Sequence, residues 1–412
     1  MVRDVAGEVP VFRSPPSDTR TTVLFFESGR QGGSVFRLLS IIKRIDRSQF
    51  EVGVVSFYRD RAAAALFEVK GLFCQRALHV PWYPQPDAFK HLLGVALPTP
   101  FGVYFFLASL LILWRHRPDV AYMNGGIGGF EPAILAARLL GVKVICHLRM
   151  SRDLTAHERR LVGHVHHIVA SSKWGATFYQ DQVQGSPAAT CIYEAIDLVE
   201  FDARAKEKLR LPLPEGPVYI CQVGSLISRK RPRLAVDAFE IAHSQFPNLR
   251  LILAGEGPLN SELAALVRGR GLGADVLLVG PRPDIPALLR SCHVGLLLSE
   301  HEGLPNSLLE YMASSLPTVV VRLPFIHELI QDGHNGSVVD DPTAQRIADA
   351  ILTFARSAAY RRQMGKAARE TIEAEAFDVD REARNVEALL TRIVGLTKPR
   401  QPKPPHESGS RT

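Results

Sequence analysis

The feature that most constrains this chain is an alternation, met twice, of short apolar runs with helical patterns. From Thr21 the strand candidates are Val23–Glu27, Val52–Phe57, Val120–Met123, Val142–His147 and Ile168–Ser171, with helical stretches such as Ser34–Ile45 and Glu131–Leu140 between them. A Pro-rich stretch, Leu211–Pro217, follows. The alternation then resumes through Val218–Val223, Leu249–Leu253, Val276–Val279, Val294–Leu298, Thr318–Val321 and Ser337–Val339. Strand, helix, strand at this spacing predicts parallel sheets covered by helices on both faces. Two such runs predict an α/β chain of two doubly wound, Rossmann-like domains, over 20–205 and 206–376. A helix over 377–396 is expected to return to the first domain, with disordered tails at 1–19 and 397–412. Ligands of such sheets bind beyond the carboxyl ends of the strands, so the expected site is a cleft between the domains.

Composition narrows the partners. The 412 residues fit two or three domains at ~150 residues each. Five cysteines are scattered singly, with no C-x-x-C pair and no recognisable signal peptide, so a cytoplasmic location is expected. A net charge of +7 suits nucleic acid, a phosphorylated ligand or an anionic membrane surface. No RNA-binding module signature is present, so nucleic acid is not expected. Leu92 to Trp114 carries no charge, but Pro98 and Pro100 break it. The apolar stretch from Phe101 to Trp114 falls short of the ~20 residues of a span. It reads first as a core helix, and next as one lying at a membrane surface on the inner face of the cell membrane.

Two carboxylates stand beside a predicted helix start. After the apolar strand Val294–Leu298, Glu302 lies in the turn and Glu310 about two helical turns further on. Pro305 suits the first helical position, and Asn306 or Ser307 supplies early-turn polar groups. A helix N-terminus suits a phosphate, so acids around it make sense if they bind neutral hydroxyls such as those of a sugar.

Other strand-end turns add to this. Gly224-Ser225-Leu226 leads to Arg229, Lys230 and Arg231 at a strand's carboxyl end, and Pro232 opens the next helix. This is a diphosphate clamp or a solvated basic turn. Ser28–Ser34, which includes Gly33, has neither dinucleotide-fingerprint spacing nor a Walker lysine, which argues against NAD(P) and ATP. His147 ends a strand, where a ligand-binding and a structural role are equally open. His164, His166 and His167 lack metal-ligand spacing, and two strand neighbours point to opposite faces, so no metal is expected. Leu253–Pro258 and Val279–Asp284, which contains Arg282, are further turns suited to a nucleotide-base pocket or to turn chemistry alone.

Taken in order, these motifs resemble the retaining nucleotide-sugar glycosyltransferases of family 4, which have the GT-B architecture. The resemblance rests on Gly224-Ser-Leu with Lys230, Ala254–Pro258, Val279-Gly with Asp284-Ile285, the Glu302-x₇-Glu310 pair, Leu316–Val320 and Glu328–Gly336. Ala170–Lys173 and Tyr193–Asp197 resemble the closing motifs of the family's first domain. The resemblance implies that Glu310 binds the nucleotide ribose and that Glu302, with the following backbone at Asn306, Ser307 and Leu308, holds the donor sugar. It implies that Lys230 and Arg229 neutralise the diphosphate, with Gly33, Gly224, Ser225 and Arg282 completing the donor site. Glu302, His147 and Lys230 are the catalytic residues it implies, His147 lying near the donor sugar and the acceptor. Ser225, Glu194, His293 and Ser315 stand where the family commonly has arginine, asparagine, aspartate and glycine.

The implied activity is sugar transfer with retention, a UDP-sugar being the leading donor and a saccharide or lipid-linked saccharide the acceptor. It needs no cofactor and no metal, because fixed cations and helix N–H groups meet the leaving phosphate. Cell-envelope or exopolysaccharide synthesis is the implied setting. A GT-B nucleotide-sugar epimerase and a non-catalytic membrane-associated relative are the competing readings.

Overall fold

The structure, a computed structural model, describes residues 20–27, 33–56, 73–76, 100–374 and 377–395. The Gly-rich turn ahead of Gly33, Phe57 and both tails lie outside the described residues. Gly33 itself opens the Gly33–Arg44 helix.

Two wholly parallel sheets organise the chain, as the alternation predicts. The first contains β1 (Thr21–Glu27), β2 (Phe50–Ser56), β3 (Phe73–Arg76), β4 (Val120–Met123), β5 (Lys143–Leu148), β6 (His167–Ala170) and β7 (Ala188–Cys191). Its order is β3-β2-β1-β4-β5-β6-β7. The second contains β8 (Val218–Val223), β9 (Leu249–Ala254), β10 (Val276–Gly280), β11 (Val294–Leu297), β12 (Thr318–Val321) and β13 (Gly336–Val339), in the order β10-β9-β8-β11-β12-β13. The edge strands β3 and β7 are absent from the sequence expectation. Phe73-Cys-Gln-Arg76 and Ala188-Ala-Thr-Cys191 have no sustained apolar run, and at an edge none is needed.

Strand order reverses between β1 and β4 and again between β8 and β11, and such switch points are where doubly wound sheets hold ligands. Register pairs Phe26 with Met123, which sets Glu27 beside Asn124 just past the strand ends. Register likewise pairs Val294 with Ile220, so the turns after β8 and β11 emerge side by side.

One face of the first sheet packs against the Glu131–Leu139 helix, through Ala133, Ile134 and Ala137. The other packs against the Gly33–Arg44 helix and the C-terminal Val379–Gly395 helix, where Val386, Leu389, Leu390 and Ile393 meet Leu38 and Ile42. Each of those burials contributes ~1.5–3 kcal/mol before entropy is counted, which ties the end of the chain to the first sheet. Pro100–His116 is not a fully covered core helix. Ile112 and Leu113 are buried, while Val103, Leu107, Leu111 and Trp114 are exposed. Among the described residues no helix is long and apolar enough to cross a membrane.

The carboxyl ends of the two sheets meet. The Ser151 amide donates to the Glu302 carbonyl at 3.3 Å. A Cβ on Gly303 would lie 2.1 Å from the Arg149 carbonyl, so only glycine admits this approach. Glu328 accepts from the amides of Lys173 and Trp174, at 2.9 and 2.8 Å, and from the Tyr193 hydroxyl at 2.6 Å. A carboxylate of the second domain thereby caps a helix of the first.

Candidate active site

One wall of the cleft grows from three turns at the second switch point. β8 ends at Gly224, and a Cβ on Gly255 beyond β9 would lie 1.9 Å from the Gly224 carbonyl. The two turns can touch only because glycine stands there. The next residues form a short 3₁₀ turn, Ser228–Lys230, and Arg231 follows in the left-handed region with φ 51°. The Gln222 amide donates to the Lys230 carbonyl at 2.6 Å, which pins this turn to its strand.

The turn after β11 locks against it. The Glu300 amide donates to the Arg229 carbonyl at 2.9 Å, and Arg229 Nη1 donates to the His301 carbonyl at 2.6 Å. Glu302, 8% exposed, receives both cations on Oε1, Arg229 at 2.9 Å and Lys230 at 2.5 Å. Two residues that the resemblance assigned to the diphosphate are thus in direct contact with the one it assigned to the donor sugar.

Pro305 is the N-cap of the Asn306–Ala313 helix, one position earlier than the sequence suggested. Its carbonyl accepts from the amides of Leu308 and Leu309, and no side chain caps this end or places acid in its first turn. The helix therefore presents an uncompensated partial positive charge to the cleft. Tyr311 anchors the helix from behind: its hydroxyl accepts from the Val223 amide at 2.7 Å, and its ring fills the space a Cβ on Gly295 would need. The carboxyl of Glu310, half-buried, has no hydrogen-bond partner among the described residues. Burial pushes its pKa up to about 7, against the opposing pull of Arg37 and Arg204.

The first domain supplies a network that the sequence reading missed. Arg37 Nε donates to Asn306 Oδ1 at 2.6 Å, bridging the domains, and lies 3.8 Å from Glu194. Arg149 donates to Glu194 Oε1 at 2.7 Å and to Asn124 Oδ1 at 3.0 and 2.6 Å. Asn124 in turn donates to Glu27. Glu382 of the C-terminal helix accepts from the Ala195 amide at 3.2 Å, and its other oxygen is buried without a partner. Burial first, and Glu194 among the rest, pushes the Glu382 pKa up to about 7. The only clue in the sequence was position, since Glu27, Asn124 and Arg149 all stand at or just past the carboxyl ends of β1, β4 and β5.

Two expected residues lie apart from the cation cluster. Arg282 is held bidentate by Asp284 at 2.8 and 2.6 Å, which fixes the turn after β10. His147 is fully buried, its Nδ1 is 2.9 Å from the Tyr122 hydroxyl, and its Nε2 has no partner. Burial, with Arg149 nearby, holds the ring neutral well below the usual histidine range. Ser225 is exposed on its turn, whereas Ser307 and Leu308 are buried in the first turn of the Asn306–Ala313 helix. The three neighbouring histidines serve separate local contacts: His166 accepts from the Val144 amide, His167 meets Thr190 and His164 meets Arg138.

Residues 203–371, which carry the donor-side turns, match the family model of group 1 glycosyl transferases. The chain is 26% identical over 290 residues to the N-acetyl-alpha-D-glucosaminyl L-malate synthase of Bacillus anthracis, covering 68% of this chain and 69% of that protein. It is 24% identical over 304 residues to the alpha-D-kanosaminyltransferase of Streptomyces kanamyceticus, covering 64% of this chain and 78% of that one. Over its fold it is similar to Anabaena HepE solved with UDP-glucose, at a TM-score of 0.69 and 20% identity, covering 90% of this chain and all of that one. This chain has the GT-B fold, and its second domain matches the group 1 glycosyl transferases. The family match lies over the second domain, and the first-domain network stands on geometry alone.

Proposed function

We propose that this glycosyltransferase takes a sugar from a nucleoside diphosphate sugar, a UDP-sugar foremost, and transfers it with retention to a saccharide acceptor in polysaccharide synthesis. The observation that carries the reading is the contact of Arg229 and Lys230 with Glu302 beside an uncapped helix start. The relatives named for N-acetylglucosaminyl and kanosaminyl transfer, and the HepE complex with UDP-glucose, support this donor class.

In the proposed mechanism the incoming diphosphate takes over Arg229 and Lys230 and the free amides of Asn306 and Ser307. These cations and dipoles meet the negative charge that grows on the leaving phosphate, the role a divalent metal would otherwise fill, and they need no reorganisation at that moment. Glu302, relieved of its two cations, accepts from hydroxyls of the donor sugar, and Glu310 accepts from the ribose. The bond from the anomeric carbon to the phosphate oxygen breaks, and the acceptor oxygen bonds to that carbon on the same face. The acceptor proton passes to the departing phosphate oxygen, so no protein base is required. Glu302 is not assigned as a nucleophile, because acceptor attack on the leaving-group face retains configuration in one displacement and needs no covalent intermediate. His147 is assigned a positioning role: through Tyr122 it stiffens β4 and β5 under the cleft.

A thermal-shift panel of UDP-, GDP- and ADP-sugars, followed by product detection with saccharide acceptors, tests the reading. A ligand at ~100 times its Kd stabilises by ~2.7 kcal/mol, a shift easily read. Stabilisation by one nucleotide class, with product of retained anomeric configuration, is the expected result. Stabilisation by none of them overturns it.

A further inference from the structure

The Pro100–His116 helix has an outer face that the fold does not cover. Val103, Leu107, Leu111 and Trp114 are 43, 55, 60 and 57% exposed. Their spacing of four, four and three puts them on one stripe about 16 Å long. Leu139 is likewise 66% exposed on the helix packed against it. Scattered apolar residues need no explanation, but a contiguous stripe of this kind does.

The exposed charges at the C-terminal end of the stripe are cationic. Arg115 and Arg117 are exposed there, and a cavity of 420 Å³ next to Trp114 is lined by Arg117, Lys143 and one acid, Asp119. From Ala88 through Pro118 the sequence holds no acid. The acid that ends this run, Asp119, accepts from the Thr22 amide at 2.9 Å.

A helix that leads into a parallel strand runs against it, so the Pro100 end lies toward the carboxyl edge of the sheet, where the cleft is. The cationic end lies at the base. We propose that this stripe and its cationic end seat the protein on an anionic lipid bilayer, with the helix lying in the interface and the rim of the cleft turned toward the lipid. An apolar stripe enters the acyl boundary while flanking arginines meet lipid phosphates, and the two contributions add. The proposal rests on the exposed face and not on the donor assignment, so either can fail without the other.

The test is sedimentation of the full chain with vesicles of phosphatidylcholine alone or mixed equally with phosphatidylglycerol, at low and high salt. Binding to the mixed vesicles, weakened by salt and absent from neutral ones, is expected. Leu107→Ser/Leu111→Ser is expected to weaken it by at least about tenfold. An unchanged melting temperature shows that the double variant is folded. Quenching of Trp114 by brominated lipid, lost in Trp114→Phe, places the contact on this helix. No binding to mixed vesicles at low salt overturns the proposal, as does undiminished binding of the double variant. A wild-type dimer that the double variant turns into a monomer also overturns it, because the stripe is then an interface between copies.

Discussion

On the donor side of the cleft, charge sits on turns; on the opposite side, it sits under the surface. The side chains of Arg229 and Lys230 are 25 and 16% exposed, and they share one carboxylate. Arg37 and Arg149 are 10 and 12% exposed, and they answer Glu194 within a network that also includes Asn124 and Glu27. Partly hydrated cations exchange one anion for another at little cost, while a sealed pair is expensive to break. The difference supports the proposal that the second-domain wall trades partners with a ligand while the first-domain wall holds its shape.

The largest effect should come from breaking the sealed wall. Arg149→Met leaves Glu194 with only Arg37, 3.8 Å away, and takes both guanidinium donors from Asn124, and a loss of ~3–5 kcal/mol in stability is expected from chemical denaturation. A loss below ~1 kcal/mol would place Arg149 with the exchangeable charges and collapse the contrast. Next comes the donor side, where Glu310→Ala should leave stability nearly unchanged and weaken nucleoside diphosphate binding by about 10–100-fold. The matching 2′-deoxynucleotide should lose little further affinity on that variant. A full additional loss would show that Glu310 does not meet the ribose.

The smallest effect is a pH dependence. Glu382 has its pKa raised from 4.5 to about 7, so between those values the folded chain binds more protons than the unfolded one. Stability from this group is present below 4.5 and is lost as pH rises through about 7. Glu382→Gln removes that loss. The variant should gain of order 1–2 kcal/mol on the wild type between pH 4.5 and pH 8, once network relaxation is allowed for. Urea midpoints across that range read the difference, and a flat difference would mean that Glu382 is ionised throughout.

The same contrast explains what the sequence made legible. Arg229 meets His301 across 72 positions, but each partner stands on a short turn whose glycines, cations or acids announce a strand end or a helix start. Their contacts follow from knowing that β8 and β11 are neighbours. In the first domain Glu27 meets Asn124 across 97 positions, and Arg37 meets Asn306 across 269. No spacing rule reaches that far. The burial of His147 was also hidden, because a strand-end histidine reads alike whether its ring faces the cleft or the core. Pro100–His116 was read as covered because its composition is apolar all round, and composition does not tell which face finds a partner.

The central claim is that Arg229, Lys230 and the start of the Asn306–Ala313 helix form a diphosphate site. Calorimetric titration of Lys230→Met and wild type is its most direct test, using the nucleoside diphosphate that stabilises the chain and the matching nucleoside. The account predicts that the variant loses about 10–100-fold in affinity for the diphosphate and almost none for the nucleoside. Equal diphosphate affinity in the two proteins would contradict it.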